Sequence, residues 1–240
     1  MTGSTKGKSD TQSIIDAAMS LAATEGWAEL SMHRIAAEAG VAYGELCRLF
    51  RSKSAILAAF AAQIDHQLET ACQVDAEEPA RDRLFEVLME RFELLRPYRS
   101  GLAAIGYDLR MDATGLAALW KTVANSMGKV LKIAQVEPPM LTRSLQVQGL
   151  VAVYARVLSV FMKDESDDLA ATMKALDKEL AEAERWAKGM NDLFDRFGNL
   201  DALFRRFDSA AKSAPADVSS GATQDQDNGT IIDGEASQAT

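Results

Sequence analysis

Tyr43, Glu45 and Arg48 fall within one short polar stretch, YGELCR, with Ser31 and Arg34 before it and Arg51 and Lys53 after it. An arginine fork can grip a guanine edge, and a carboxylate can accept from the amino group of cytosine. Hydroxyl, guanidinium and ammonium groups contact phosphate oxygens. These residue types suit duplex DNA: base readout is expected from Tyr43, Glu45 and Arg48, and phosphate contacts from Ser31, Arg34, Arg51 and Lys53. No set of residues suited to catalysis competes with this one. His33 and His66 are the only histidines, and His33, beside Arg34, reads as a surface or DNA-backbone residue. There is no glycine-rich phosphate loop and no metal-ligand spacing. The carboxylates at Glu77-Glu78 and Asp164 to Asp168 read as helix starts, where the helix dipole favours anions. Neither an enzyme nor a cofactor is expected.

Such contacts need a rigid mount. Ile35, Ala36, Ala39, Val41, Leu46 and Phe50 are the small and large apolar groups that lock two short helices at a steep angle, and Gly40 suits the left-handed turn between them. The layout predicts a helix-turn-helix. From Met1 to Phe60, six basic residues (Lys6, Lys8, Arg34, Arg48, Arg51, Lys53) face six acidic ones (Asp10, Asp16, Glu25, Glu29, Glu38, Glu45), so the module is neutral. Its positive charge gathers beside the second short helix. DNA reading and retention of the module for folding alone are both open at this level.

The whole chain carries a net charge of −9 over 240 residues, which disfavours non-specific coating of nucleic acid. It is 48% hydrophobic, with five prolines and few β-branched runs, which predicts an all-α fold with a sizeable core. Cys47 and Cys72 form no disulfide framework, and the N-terminus lacks an apolar signal core; both fit a reducing cytoplasm.

Expected helices run from Asp10 to Glu25, Ser31 to Ala39, Ala42 to Leu49 and Lys53 to about Cys72. Further ones open at Glu78-Pro79, Tyr98 and Thr114, with a break at Pro138-Pro139. Thr142 to Met162 is apolar on nearly every side and reads as buried. Helices capped at Ser166 and starting near Gly189 follow. The resulting domains are a flexible arm (1–9), a helix-turn-helix domain (10–60), a helical ligand-binding and dimerisation domain (61–208) and a disordered acidic tail (209–240).

Ile35, Ala36, Ala39, Gly40, Val41, Gly44, Leu46, Phe50, Ser52 and Lys53 together resemble the TetR family of bacterial transcriptional regulators, whose pattern runs IA-x-x-AGV, a recognition helix, then F-x-SK. The resemblance covers roughly Thr11 to Phe60. It implies a dimeric regulator, in all expectation a repressor, that binds a palindromic operator and is released by an apolar small molecule. Three positions depart from the family: Ala42 replaces a capping Ser or Thr, Cys47 replaces a phosphate-touching Tyr, and Glu45 faces an anionic partner.

Leu169, Met173, Leu176, Leu180, Ala183 and Ala187 recur at spacings of four and three, a coiled-coil-like seam. The seam fits a four-helix homodimer interface, with a hairpin buried inside one subunit as the other reading. A pocket is expected around Tyr107, Trp120, Met127, Leu131 and Tyr154, with Arg110 and Arg156 as further polar anchors. The junction Asp164, Ser166, Asp168, Thr172, Leu176, Asp177 and Leu180 is similar to the TetR-like accessory protein of ubiquinone biosynthesis. That resemblance implies lipid or isoprenoid binding and a helix-turn-helix that no longer reads DNA. The last helix, about 190–207, stripes Leu193, Phe194, Phe197, Leu200, Leu203, Phe204 and Phe207 along one side. Packing on the core is the favoured reading, and peripheral membrane contact the other.

Overall fold

Helix starts and stops follow the side chains able to satisfy free backbone groups. The computed structural model describes the backbone of residues 3–136 and 142–198, and the side chains of 10–136 and 142–189. Helix α1 (Gly3–Glu25) begins before the expected Asp10, there being no proline to stop it, and ends at Gly26, whose φ is +85°. Ser31 caps α2 (Met32–Glu38) by accepting from the Arg34 N–H at 3.2 Å. Gly40, with φ of +67°, turns the chain into α3 (Tyr43–Leu49). Ser52 caps α4 (Lys53–Ala71) through the Ala55 N–H. Then come α5 (Ala80–Leu95) and α6 (Arg99–Asp108). Asp112 caps α7 (Ala113–Ile133) through the N–H groups of Thr114 and Gly115. Helices α8 (Arg143–Phe161) and α9 (Ala170–Gly198) complete the order. No strand occurs among the described residues.

One core joins the N-terminal module to the helices that follow. Ile14, Ile15, Ala18 and Ala22 of α1 are buried in the same cluster as Ile35, Leu46, Phe50 and Phe60. Helix α4 crosses the expected boundary at residue 60 without a break and continues burying Ile64 and Leu68. Helix α1 lies so close to α6 that a Cβ on Gly101 would sit 2.6 Å from the Met19 carbonyl oxygen. The chain divides into residues 1–190 and 191–240, and the end of α9 is the described part of the second unit. Helix α9 passes through Gly189, where the sequence had suggested a new helix. The phenylalanine stripe and the tail lie outside the residues whose side chains are described, as do Pro138-Pro139.

Two elements differ from expectation. Helix α8 is not buried all round: Leu145, Gln148, Gly149, Ala155, Arg156 and Ser159 are exposed, because one face carries small and polar groups. Alone among the described helices it is long and apolar enough to cross a membrane, yet Arg156 on its outer face pairs with Glu179 at 2.9 Å. At its far end, the buried Asp164 carboxylate organises the turn into α9. It accepts from the Thr172 N–H and Oγ1, both at 2.7 Å, and from Ser166, while Ser166 Oγ and Asp168 accept from the Ala170 N–H. Leu169 adopts a left-handed φ of +51° and is fully buried.

Burial alone would raise the Asp164 pKa, but the hydrogen bonds from Ser166 and Thr172 outweigh it and hold the carboxyl at about 2. Asp164→Ala is expected to cost about 2 kcal/mol in urea unfolding at neutral pH, since buried donors lose their acceptor. A folded-state pKa below the unfolded one stabilises above the unfolded value of about 3.9. The gap between wild type and variant should therefore persist down to about pH 4 and close as the pH falls towards about 2.

Candidate nucleic-acid interface

The lock of the α2–α3 pair is intact: Ile35 and Leu46 are fully buried, Ala36 and Phe50 nearly so. This leaves one face of α3 exposed, carrying Tyr43, Gly44, Cys47 and Arg48, with Arg51 just beyond it. Tyr43 stacks on His33 of α2, ring centroids 3.5 Å apart and planes 11° from parallel. A hydrogen bond with Cys47 one turn on pushes the Tyr43 phenol above its ordinary pKa. Ala42 supplies no side-chain cap to α3, as its methyl group dictates.

The charged groups are committed to one another. Arg48 Nη2 and Nε donate to the two oxygens of Glu45 at 2.5 and 3.0 Å. Arg34 donates through Nε and Nη2 to Glu25, at 3.0 and 2.8 Å, and through Nη1 to Glu38 at 3.0 Å. These carboxylates raise the pKa of both guanidinium groups, chiefly through the hydrogen bonds. Ser31 accepts a backbone N–H, and its own hydroxyl proton remains free to donate. Arg51 is exposed and forms no ion pair among the described residues.

Lys53 has a different task in the free protein from the phosphate contact expected of it. Its Nζ donates to the carbonyls of Trp27 (2.6 Å) and Ala28 (3.3 Å) and lies 5.2 Å from the Trp27 ring centroid. Burial lowers its pKa, against the opposing pull of Asp108, Asp112 and Glu29. On the N–H side of the same segment, Asp108 Oδ2 accepts from Trp27 and Ala28 at 2.6 and 2.8 Å. The α1–α2 connection is thus held by α4 on its carbonyls and by α6 on its amides. Asp108 carries no sequence signal for this role, whereas the Arg34–Glu38 and Arg48–Glu45 spacings of four and three were readable.

The five expected pocket residues do not share a site. Tyr107 and Trp120 are exposed, while Met127, Leu131 and Tyr154 belong to the core. Arg156 is engaged with Glu179. A surface groove lies elsewhere, along Glu78, Arg81, Asp82, Phe85, Glu86 and Asp177. The expected dimer seam also needs correction: Leu169, Leu176 and Leu180 are buried in their own protomer, Met173 is exposed and Ala183 is half-buried. The leucine period marks the inward side of α9, because the same spacing serves either kind of burial.

Two short helices locked about a left-handed glycine, with the second presenting an exposed polar face, define a helix-turn-helix module in an all-α protein. Residues 14–60 match the family model for bacterial regulatory proteins of the tetR family. A TetR transcriptional regulator from Nitrosomonas europaea superposes with a TM-score of 0.59 at 22% identity, over 72% of this chain and 97% of that one. One from Rhodococcus sp. RHA1 superposes with a TM-score of 0.52 at 22% identity, over 73% and 97%. Comparison with curated proteins gives no match. Residues 14–60 thus carry a tetR-family domain, and the chain shares the all-α fold of these solved TetR regulators. The resemblance to the ubiquinone accessory protein rests on sequence alone, and most of the residues that carry it form the Asp164 cap.

Proposed function

We propose that this protein is a dimeric, ligand-responsive repressor that binds a palindromic operator. The carrying observation is the intact α2–Gly40–α3 lock with Tyr43, Arg48 and Arg51 on its outward face. A helix-turn-helix reads two half-sites, so the role calls for two modules at a fixed spacing. The outward face of α8, with Leu145, Gly149 and Ala155, and Met173 on α9 offer the surface for pairing: α8 is apolar, yet only a third of it is buried within the protomer. An apolar ligand would wedge among Met127, Leu131 and Tyr154 and shift α6 and α7. The grip of Asp108 on Trp27 and Ala28 would carry that shift to the reader, biasing the two half-site positions.

The test is binding of the full-length protein to palindromes from its own promoter region at graded salt. Among the described arginines of the helix-turn-helix Arg51 is the one without an ion pair, so Arg51→Ala should weaken binding and flatten the plot of log affinity against log salt by about one. Lys53→Ala should instead act mainly through the loop it holds. Equal salt slopes for wild type and Arg51→Ala would remove Arg51 from the interface.

A further inference from the structure

Every side-chain-described cation of the reader except Arg51 already has partners, and one of these pairings lies on the reading helix itself. Glu45 and Arg48 are one turn apart on α3, joined through the Nε–Nη2 edge of the guanidinium at 3.0 and 2.5 Å. Arg48 is about two-thirds exposed and Glu45 about one-third, so the pair is accessible to a groove that enters this face. While the pair is closed Arg48 brings no net positive charge to DNA, and the Glu45 carboxylate beside it faces a polyanion. Random sequence offers that carboxylate nothing. A cytosine does, because its N4 amino group is a donor in the major groove.

We propose that Glu45 is a specificity-determining residue that makes binding conditional on a cytosine in each half-site; the inference rests on the operator-binding reading above. On the correct site the carboxylate accepts from cytosine N4. Arg48 donates to the O6 and N7 of a neighbouring guanine, since two long side chains whose Cβ atoms are about 5–6 Å apart can reach adjacent base pairs. On other sites the pair stays closed and adds no net positive charge towards phosphate. The pair therefore suppresses non-specific binding, as the neutral module and the acidic chain also do.

The experiment selects duplexes from a random pool with full-length wild type, Glu45→Ala and Glu45→Gln, then measures each protein on the selected site and on an unrelated duplex across salt. The wild type should enrich a cytosine with a neighbouring guanine in both half-sites. Glu45→Ala should lose the cytosine preference, and replacing that cytosine should cost the wild type about tenfold or more but the variant little. On unrelated DNA, Glu45→Ala should bind about tenfold tighter near 0.1 M salt, with a slope steeper by about one as Arg48 is released. Glu45→Gln keeps the shape without the charge and should also gain non-specific affinity. Sequence-preferring binding whose base preferences and salt slope do not change on removing Glu45 would overturn this inference and leave the operator reading standing. Absence of any sequence preference in the wild type would overturn both.

Discussion

Asp65→Ala is expected to lower the unfolding free energy by about 3–5 kcal/mol, the largest single effect in the molecule. Asp65 on α4 is 5% exposed and Arg91 on α5 4%, and they meet at 2.6 Å. Ser126 of α7 donates to the same carboxylate, and Lys129 lies 3.1 Å from its other oxygen. Tyr154 of α8 accepts from Arg91 Nε at 3.4 Å, and its ring centroid lies 5.6 Å from the guanidinium carbon. Burial disfavours the Arg91 charge, yet Tyr154 and Asp65 outweigh it and hold the pKa above the ordinary arginine value. Removing the carboxylate thus strands a guanidinium that stays charged in the core. Arg91→Met should cost less, because Ser126 and Lys129 still hold the Asp65 carboxylate. The double variant Asp65→Leu/Arg91→Met should recover most of the loss, since desolvating the pair offsets much of its attraction. Urea unfolding of the wild type, Asp65→Leu, Arg91→Met and the double variant measures the cycle. Additive losses, or single losses below about 1 kcal/mol, would contradict the reading of a coupled buried pair.

Asp108→Ala should have the second largest effect, and the one most specific to function. Two short, charge-assisted hydrogen bonds tie Trp27 and Ala28 to the end of α6. Each such bond contributes about 1.5–3 kcal/mol. Part of the segment is exposed to water, so the expected stability loss is about 2–3 kcal/mol. The backbone amides of Trp27 and Ala28 should exchange with solvent about a hundredfold faster, while those of α4 near Ile64 and Leu68, buried apart from the joint, keep their protection. Lys53→Met removes the opposing grip on the same segment's carbonyls and should loosen the same amides. If exchange at Trp27 and Ala28 does not change in Asp108→Ala, the joint does not hold the reader to α6.

The reader was largely legible in the sequence because its determinants are local. Ser31 and Ser52 cap the helices they precede, Gly40 takes the left-handed turn, and Ile35, Leu46 and Phe50 lie inside. The spacing of three between Glu45 and Arg48 permits their pairing, although by residue type both read as base contacts. What the sequence hid is set by partners far along the chain. The roles of Lys53 and Asp108 depend on a segment 26 and about 80 residues away. The seam of Leu169, Leu176 and Leu180 carried a true helical period, but a period shows that a face is covered and not which chain covers it. Tyr107 and Trp120 read as pocket residues on type alone; the ends of α6 and the start of α7 leave them outside.

Helix α3 is proposed to read DNA even though Arg34, Arg48 and Lys53 are already engaged. Titration of the full-length protein against a labelled palindrome from its own promoter region and against a scrambled duplex, at salt from low to physiological, tests it most directly. Binding to the palindrome should be tighter at every salt, with a shallow salt slope that falls by about one in Arg51→Ala. Equal affinity for palindrome and scrambled duplex at low salt, or no binding to either, would contradict it.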